Sequence, residues 1–357
     1  MNMRIVWHCA LNSRTGYSEF SEGVIKSLHT EGADVYAHSW GSWGLPEDET
    51  VRSLIQKYEN NKDNLFDACH IMCWAANDYH TFKGKKRLGV VFAESSIIRS
   101  SVFESCKQIE GVIVVADFTK QMFINSGYPN EVIFIPIGVK EVYRHPVVRP
   151  VSKHLGEFVF LAVGVCQLRK NSFMLARAFS EVFPKDQFPK IKLIMKSNHG
   201  GKLDWTKDLK GNIEAIWTGL EAGTPDYTTE QMYQLFSRSD CILLPSKGEG
   251  APIFVNALSA GLPLIYTNWG VLKEFFNSDV SYPCNIANME KGSFSDGRGN
   301  RESFGETPNV DVNHFKSLMK HVVENRNDLR DKSIAAAAYG SYFRYDTTAK
   351  TLLKALS

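Results

Sequence analysis

No stretch of the sequence approaches the ~20 apolar residues that a bilayer-spanning helix needs, so membrane insertion is not expected. Charge of one sign is scarce as well. Lys and Arg number 41 against 39 Asp and Glu, a formal net charge of +2, which leaves no global footprint for nucleic acid. Paired cysteines are lacking. The seven present (Cys9, Cys69, Cys73, Cys106, Cys166, Cys241 and Cys284) are odd in number and scattered, mostly in apolar runs, which suits reduced core residues. Cys69, His70 and Cys73 stand close enough to suggest metal ligands. No second cluster lies at zinc-site spacing, so no metal is expected there. The opening, MNMRIVWHCALNSRTGY, has neither a long apolar run nor a small-residue cleavage site. It reads as a first β-strand rather than a signal peptide, and a cytoplasmic protein is expected.

What is present points to a folded α/β protein. The chain has 357 residues, too many for one ordinary core, so two α/β domains are expected. Hydrophobic residues make up 43% and charged residues 22%, an ordinary globular balance. The run from Arg4 to His8 is β-rich, and a polar loop from Asn12 to Gly16 follows. Phe20, Val24, Ile25 and Leu28 then recur at helical spacing, Gly32 sits where a helix-terminating glycine belongs, and Asp34 to His38 is the next strand. Strand, loop, helix, strand is a parallel βαβ unit. Further strands are expected at Arg87–Ala93, Gly111–Val115 and Val132–Pro136. Near His145–Pro150 the pattern breaks, which marks a linker. A second series runs through Phe158–Val163, Ile191–Met195, Cys241–Leu244 and Leu262–Tyr266. Lys291–Asn309 reads as a long exposed loop, and a last helix covers roughly Thr347–Leu356. The expected division is residues 1–148, residues 149–340, and a C-terminal helical segment, 341–357, packing back toward the first domain.

Open parallel sheets bind ligands beyond the carboxyl ends of their strands. That rule singles out the loops after Val6–His8, Val91–Ala93, Leu161–Val163 and Ile242–Leu244. The last begins Pro245-Ser246-Lys247-Gly248-Glu249-Gly250-Ala251-Pro252. Its glycines allow close backbone approach, Pro252 fits the first turn of a helix, and that helix N-terminus suits a phosphate. A carboxylate gains nothing from phosphate, so Glu249 is better used on sugar hydroxyls; a glycine-rich connection without a ligand is the plain alternative. In the third loop, Gly164 to Asn171, the adjacent Arg169 and Lys170 can clamp a diphosphate, or simply be solvated. Glu94 follows a buried strand and can orient or deprotonate an acceptor hydroxyl, or be an ordinary loop carboxylate. His8, at a strand end, reads as a satisfied structural histidine. The basic run Lys83, Lys85, Lys86 and Arg87 precedes its strand and so lies at the opposite end from the expected site, where it reads as a solvated turn.

Several runs resemble one family. FVFLAVGVCQLRKN resembles the donor-domain opening of glycosyltransferase family 4 and its GT-B relatives. LLPSKGEGAPIFVNALSAGLPLIYTNWG resembles the same family's signature, a strand, Glu-Gly, then a helix ending in small-residue-Gly-X-Pro. VVADFTKQMFINSGYPNEVIFIPIGV resembles its interdomain region, and TGYSEFSEG and VVFAESS resemble segments of a bacterial and phage branch. The ordered set covers most of the chain. The resemblance implies a GT-B fold, two doubly wound Rossmann-like domains facing a central cleft. It implies that Arg169 and Lys170 neutralise the donor diphosphate and that Glu249 is the first glutamate of a Glu-X7-Glu signature holding the sugar. The second glutamate is absent. Asn256 falls at its place, one residue short in spacing, and offers a ribose hydroxyl an uncharged hydrogen bond. Gly16, Gly164, Gly250 and Ala251 complete the expected donor-binding set, with Glu94 and Glu249 as the expected catalytic pair.

The implied activity is transfer of a hexose or pentose from a UDP- or GDP-sugar, with retention. No cofactor or metal is implied: the sequence has no Asp-X-Asp motif, and Arg169, Lys170 and helix dipoles can carry the diphosphate charge. The acceptor is a glycan or the hydroxymethylated DNA base of a phage. A non-catalytic sugar-nucleotide scaffold and a sugar-nucleotide epimerase are the competing readings.

Overall fold

The computed structural model describes residues 3–41, 44–92, 94–146, 157–198, 203–219, 222–250, 252–295 and 301–357. Two compact units emerge. The first comprises Met1–Lys140, Lys291–Gly305 and Phe343–Ser357, the second Glu141–Glu290 and Glu306–Tyr342. Residues 147–150 of the expected linker lie outside the described residues.

The first unit runs β1 (Arg4–Cys9), α1 (Gly16–Thr30), β2 (Asp34–Ser39), α2 (Glu49–Asn61), β3 (Cys69–Met72), β4 (Lys86–Val91), α3 (Ser100–Cys106), β5 (Gly111–Val114), α4 (Asp117–Asn125) and β6 (Glu131–Phe134). Its six strands pair in parallel in the order β2-β1-β3-β4-β5-β6. Helices cover a parallel sheet on both faces, so central strands are apolar throughout. Accordingly Val112, Ile113 and Val114 of β5 are fully buried. Thr15 caps α1, its hydroxyl accepting from the Ser18 amide at 3.3 Å, which starts the helix immediately past the first loop.

The second unit continues with β7 (Phe158–Val163), α5 (Ser172–Val182), β8 (Ile191–Ser197), β9 (Ile213–Trp217), α6 (Thr229–Ser237), β10 (Cys241–Leu244), α7 (Pro252–Ser259), β11 (Leu264–Thr267), α8 (Gly270–Phe275) and β12 (Tyr282–Cys284). These strands form a second parallel sheet in the order β12-β11-β10-β7-β8-β9. Phe158, Phe160, Phe179 and Phe183 stack through its core beside Phe315 and Met319. The chain then forms β13 (Ile286–Ser295), β14 (Arg301–Val310), α9 (Val312–Glu324), α10 (Arg326–Gly340) and α11 (Tyr345–Leu356).

One expectation is corrected. Residues 291–295 and 301–309 are not loop: they belong to β13 and β14, which pair as a two-stranded sheet, while residues 296–300 lie outside the described residues. Their polar composition suggests a loop, but strand pairing satisfies the backbone, and Thr307 and Val310 are buried.

The last helix, α11, belongs to the first unit. Its Tyr345 fills a slot left by two glycines. A Cβ on Gly138 would stand 2.3 Å from the Tyr345 ring, and one on Gly23 2.2 Å. Thr348 reinforces the dock by donating to the Pro136 carbonyl at 2.8 Å.

Candidate active site

In the second sheet the chain moves outward from β7 through β8 to β9, then returns to place β10 on the other side of β7. The loops after β7 and β10 therefore flank the topological switch point, where open sheets hold ligands. They are the two loops that carry Arg169, Lys170 and Glu249.

Local geometry binds these loops together. Gly164 leaves β7 with φ +136°, a conformation that favours glycine, and a Cβ there would lie 3.2 Å from the Lys170 side chain. Asn171 adopts a left-handed φ of 58° ahead of α5 and donates to the Pro245 carbonyl at 3.3 Å. The Lys247 amide donates to the Arg169 carbonyl at 2.9 Å, and the Ser246 hydroxyl reaches the same carbonyl at 3.2 Å. The Arg169 guanidinium donates to the Gly248 carbonyl.

At the centre lies Glu249, only 5% exposed. Lys170 Nζ meets its two carboxylate oxygens at 2.6 and 2.5 Å, and Arg169 stands 3.5 Å away. The Lys170 ammonium also sits 5.3 Å from the centre of the Phe254 ring on α7. Burial pushes the Glu249 carboxyl up, but Lys170 and Arg169 more than offset this and hold it below the ordinary carboxylate range. Two cations around one carboxylate leave one positive charge in excess. A buried ion pair is a poor stabiliser compared with apolar packing, because desolvating its charges cancels much of their attraction. Such a cluster at a switch point favours a chemical role.

A second buried pair lies one strand away. Lys196, near the end of β8, is 6% exposed and ion-pairs with Asp226. Asp226 also accepts from Asn198 at 2.6 Å, Thr218 at 2.8 Å and the Tyr227 amide at 2.7 Å. Burial pushes its carboxyl up and Lys196 pulls it down, with a net lowering. Gly164, Lys170, Ser172, Lys196 and Ser197 share one small cavity. Sequence reasoning missed this network. Its one signal is Lys196, a charged residue directly after the apolar Leu193-Ile194-Met195.

The other expected donor residues are placed as follows. Gly250 is half-buried, Asn256 lies on α7 and is 2% exposed, and Ala251 falls outside the described residues. Gly16 opens α1 in the first unit and is exposed; Glu94, in the loop after β4, is half-buried. The basic run ends in β4, whose first residue is Lys86, at the amino end of the sheet; Arg87 there pairs with Glu110 at 3.0 Å.

The first unit contains one further polar feature. His8 Nδ1 meets His38 Nδ1 at 2.9 Å, His8 Nε2 meets His70 Nδ1 at 2.9 Å, and His70 Nε2 meets the Leu65 carbonyl at 2.8 Å. A carbonyl only accepts, so His70 Nε2 carries hydrogen, and neutrality fixes the rest: His38 donates to His8, and His8 donates to His70. Burial holds all three rings below the usual histidine range. Cys69 and His70 are successive residues of β3, so their side chains leave opposite faces of the sheet. Among the described residues no group of three His, Cys, Asp or Glu side chains stands where it could hold a metal.

Known proteins add two findings. Residues 147–291 match the family model described as "Glycosyl transferases group 1". Among solved structures, HepE from Anabaena in complex with UDP-glucose is similar over 99% of both chains at 12% identity, TM-score 0.68. A glycosyltransferase from Rickettsia africae ESF-5 is 14% identical over 99% of this chain and 97% of its own, TM-score 0.64. Sucrose-phosphate synthase from Thermosynechococcus elongatus is 12% identical over 99% and 98%, TM-score 0.65. No curated protein matches the chain in sequence. At these identities the likeness concerns the fold. The two parallel six-stranded sheets with flanking helices are the GT-B architecture, with the group 1 match covering much of the second unit.

Proposed function

We propose that the chain is a glycosyltransferase that moves a sugar from a UDP- or GDP-sugar to a hydroxyl acceptor, with retention and without a metal. The observation that carries this reading is the buried Arg169–Lys170–Glu249 cluster at the switch point of the second sheet, inside the segment that matches the group 1 model. HepE, of similar fold, binds UDP-glucose.

The chemistry follows from charge. Without a donor, Glu249 serves as the counter-ion of Lys170. An arriving diphosphate is the stronger anion and takes the Lys170 ammonium and the Arg169 guanidinium, with the N-terminus of α7 adding its dipole. Glu249 then turns to accept hydrogen bonds from the transferred sugar. Gly164 keeps the approach beside Lys170 open. Gly250 lies in the loop before α7 and leaves its backbone open to the donor, the role expected of Ala251 as well. Asn256 hydrogen-bonds the ribose. In the first unit Glu94 orients the acceptor hydroxyl or takes its proton, and Gly16 leaves room beside it. The acceptor is a glycan or a hydroxymethylated base.

Asn256, in place of a signature glutamate, favours a second reading, a sugar-nucleotide binder that does not turn over. Thermal unfolding with nucleoside diphosphates tests the donor assignment. UDP or GDP at one hundred times its dissociation constant should add about 2.7 kcal/mol, and EDTA should leave the effect intact. No shift with any nucleoside diphosphate would remove the donor site.

A further inference from the structure

The connection between β1 and α1, residues 10–15, is both packed and strained. Ala10, Leu11 and Ser13 are buried, although connections of this kind usually run over the surface. Asn12 and Arg14 both stand in the left-handed region, at φ 62° and 55°. Asn visits that region more readily than most residues; Arg does so seldom, because its Cβ crowds the backbone. Such a conformation persists only where the surroundings impose it, and strain of this kind gathers at functional sites. β2 and β3 lie on opposite sides of β1, so this loop flanks the switch point of the first sheet.

Glu22, on α1, supplies the constraint. Its Oε1 accepts from the Asn12 amide and from the Ser18 hydroxyl, both at 3.1 Å. Its Oε2 takes Lys140 Nζ at 3.0 Å. The Lys140 and Glu22 side chains are 22% and 14% exposed. An ionised carboxylate only accepts, so three donors from three places along the chain set its orientation. Burial pulls the Lys140 ammonium down, but Glu22 and Glu19 more than offset this and hold it above the ordinary lysine range. Lys140 follows a segment that the last helix pins. Thr348 donates to the Pro136 carbonyl, Gly138 lies against the Tyr345 ring, and Val139 bridges to Arg344. Gly23, next to Glu22, meets the same Tyr345 ring. The two partners of the ion pair are thus seated on one ring.

We infer that Glu22 is a positioning residue: its carboxylate, anchored by Lys140, holds the β1–α1 loop in the left-handed form that sugar transfer requires. The inference rests on the transferase reading. Both oxygens of Glu22 are taken by protein donors, so it acts through the loop and not on the substrate.

Hydrogen–deuterium exchange over residues 10–16 and steady-state kinetics of the full chain test it. Exchange there should quicken about tenfold or more in Glu22→Ala and in Lys140→Met, and less in Glu22→Gln, which keeps an acceptor oxygen. In Glu22→Ala kcat should fall about tenfold or more while the donor KM changes less than about twofold, and the UDP-induced thermal shift should stay that of wild type. Glycine takes the left-handed conformation without steric cost, so adding Asn12→Gly should raise the kcat of Glu22→Ala about threefold or more. Wild-type exchange in both Glu22→Ala and Lys140→Met, wild-type kcat in Glu22→Ala, or a lost kcat that Asn12→Gly leaves unmoved would overturn the inference. Should Glu22→Ala not melt cooperatively, Glu22→Gln with and without Asn12→Gly decides by the same comparison. No turnover by wild type with any donor would be a failure of the transferase reading, and exchange would then still decide whether Glu22 holds the loop.

Discussion

Removing the Glu249 carboxylate is the perturbation with the most decidable outcome. In the ligand-free chain it is the partner of two cations, and Lys170 and Arg169 are themselves only 13% and 17% exposed in their side chains. Glu249→Ala leaves Lys170 buried beside a second positive charge. Breaking a buried pair in this way costs about 3–5 kcal/mol. For a unit of this size each kcal/mol lowers the melting temperature by roughly 2–4 °C, so the variant should melt about 6–20 °C below wild type. Glu249→Gln keeps the shape and one acceptor oxygen, and should lose only the charge-assisted part, about 1.5–3 kcal/mol. The sign of the ligand effect is the sharper discriminant. If diphosphate replaces Glu249 as the counter-ion, UDP should stabilise Glu249→Gln by more than it stabilises wild type. Differential scanning fluorimetry over a UDP titration reads both quantities. Equal or smaller stabilisation of the variant would refute the counter-ion exchange, and an unchanged melting temperature without ligand would refute the buried-pair argument itself. The pH dependence has a definite direction. The folded carboxyl is held below its ordinary value of 4.5, so its contribution is present above that pH and is lost as pH falls further; Glu249→Gln should lack this acid-side loss.

Other outcomes follow from the same geometry. Lys170→Ala should weaken nucleotide-sugar binding by roughly 1.5–3 kcal/mol, measured by titration calorimetry, whereas a solvated lysine would change nothing. The histidine chain His38–His8–His70 is held neutral by burial, with all three rings below their unfolded value of 6.5, so stability should fall as pH drops below that value. A melting temperature flat from pH 7 to 5 would count against it. Gly138→Ala places a methyl against Tyr345 and should cost about 1–3 kcal/mol by overpacking, an effect that Tyr345→Leu in the same chain should relieve. Melting of the single and double variants gives the comparison.

The two sheets were legible because buried parallel strands announce themselves as apolar runs, as Phe158–Val163 and Cys241–Leu244 do. Loop position after a strand was enough to put Arg169, Lys170 and Glu249 on one short roster, since the carboxyl-end rule needs only strand order. Their mutual pairing was not legible. It depends on loop conformations such as the left-handed Asn171 and on two strands becoming neighbours across a crossover. β3 escaped notice because it is four residues long and contains a cysteine and a histidine, which drew attention to metal chemistry. The β13–β14 pair was hidden by composition, since Gly, Ser and charge mark loops and paired strands outside a core alike. The Lys196–Asp226 network left a lone lysine as its only signal, because its members come from separate parts of the chain.

The measurement that bears most directly on the transferase reading is turnover of a panel of UDP- and GDP-sugars by the full chain, with EDTA present and with and without oligosaccharide acceptors. Release of nucleoside diphosphate from at least one donor, accelerated by an acceptor that gains a sugar of unchanged anomeric configuration, is the expected result. Binding of the donors with no release under any condition would contradict catalysis and leave a sugar-nucleotide-binding scaffold, and epimerised donor without transfer would place the chain in a different enzyme class.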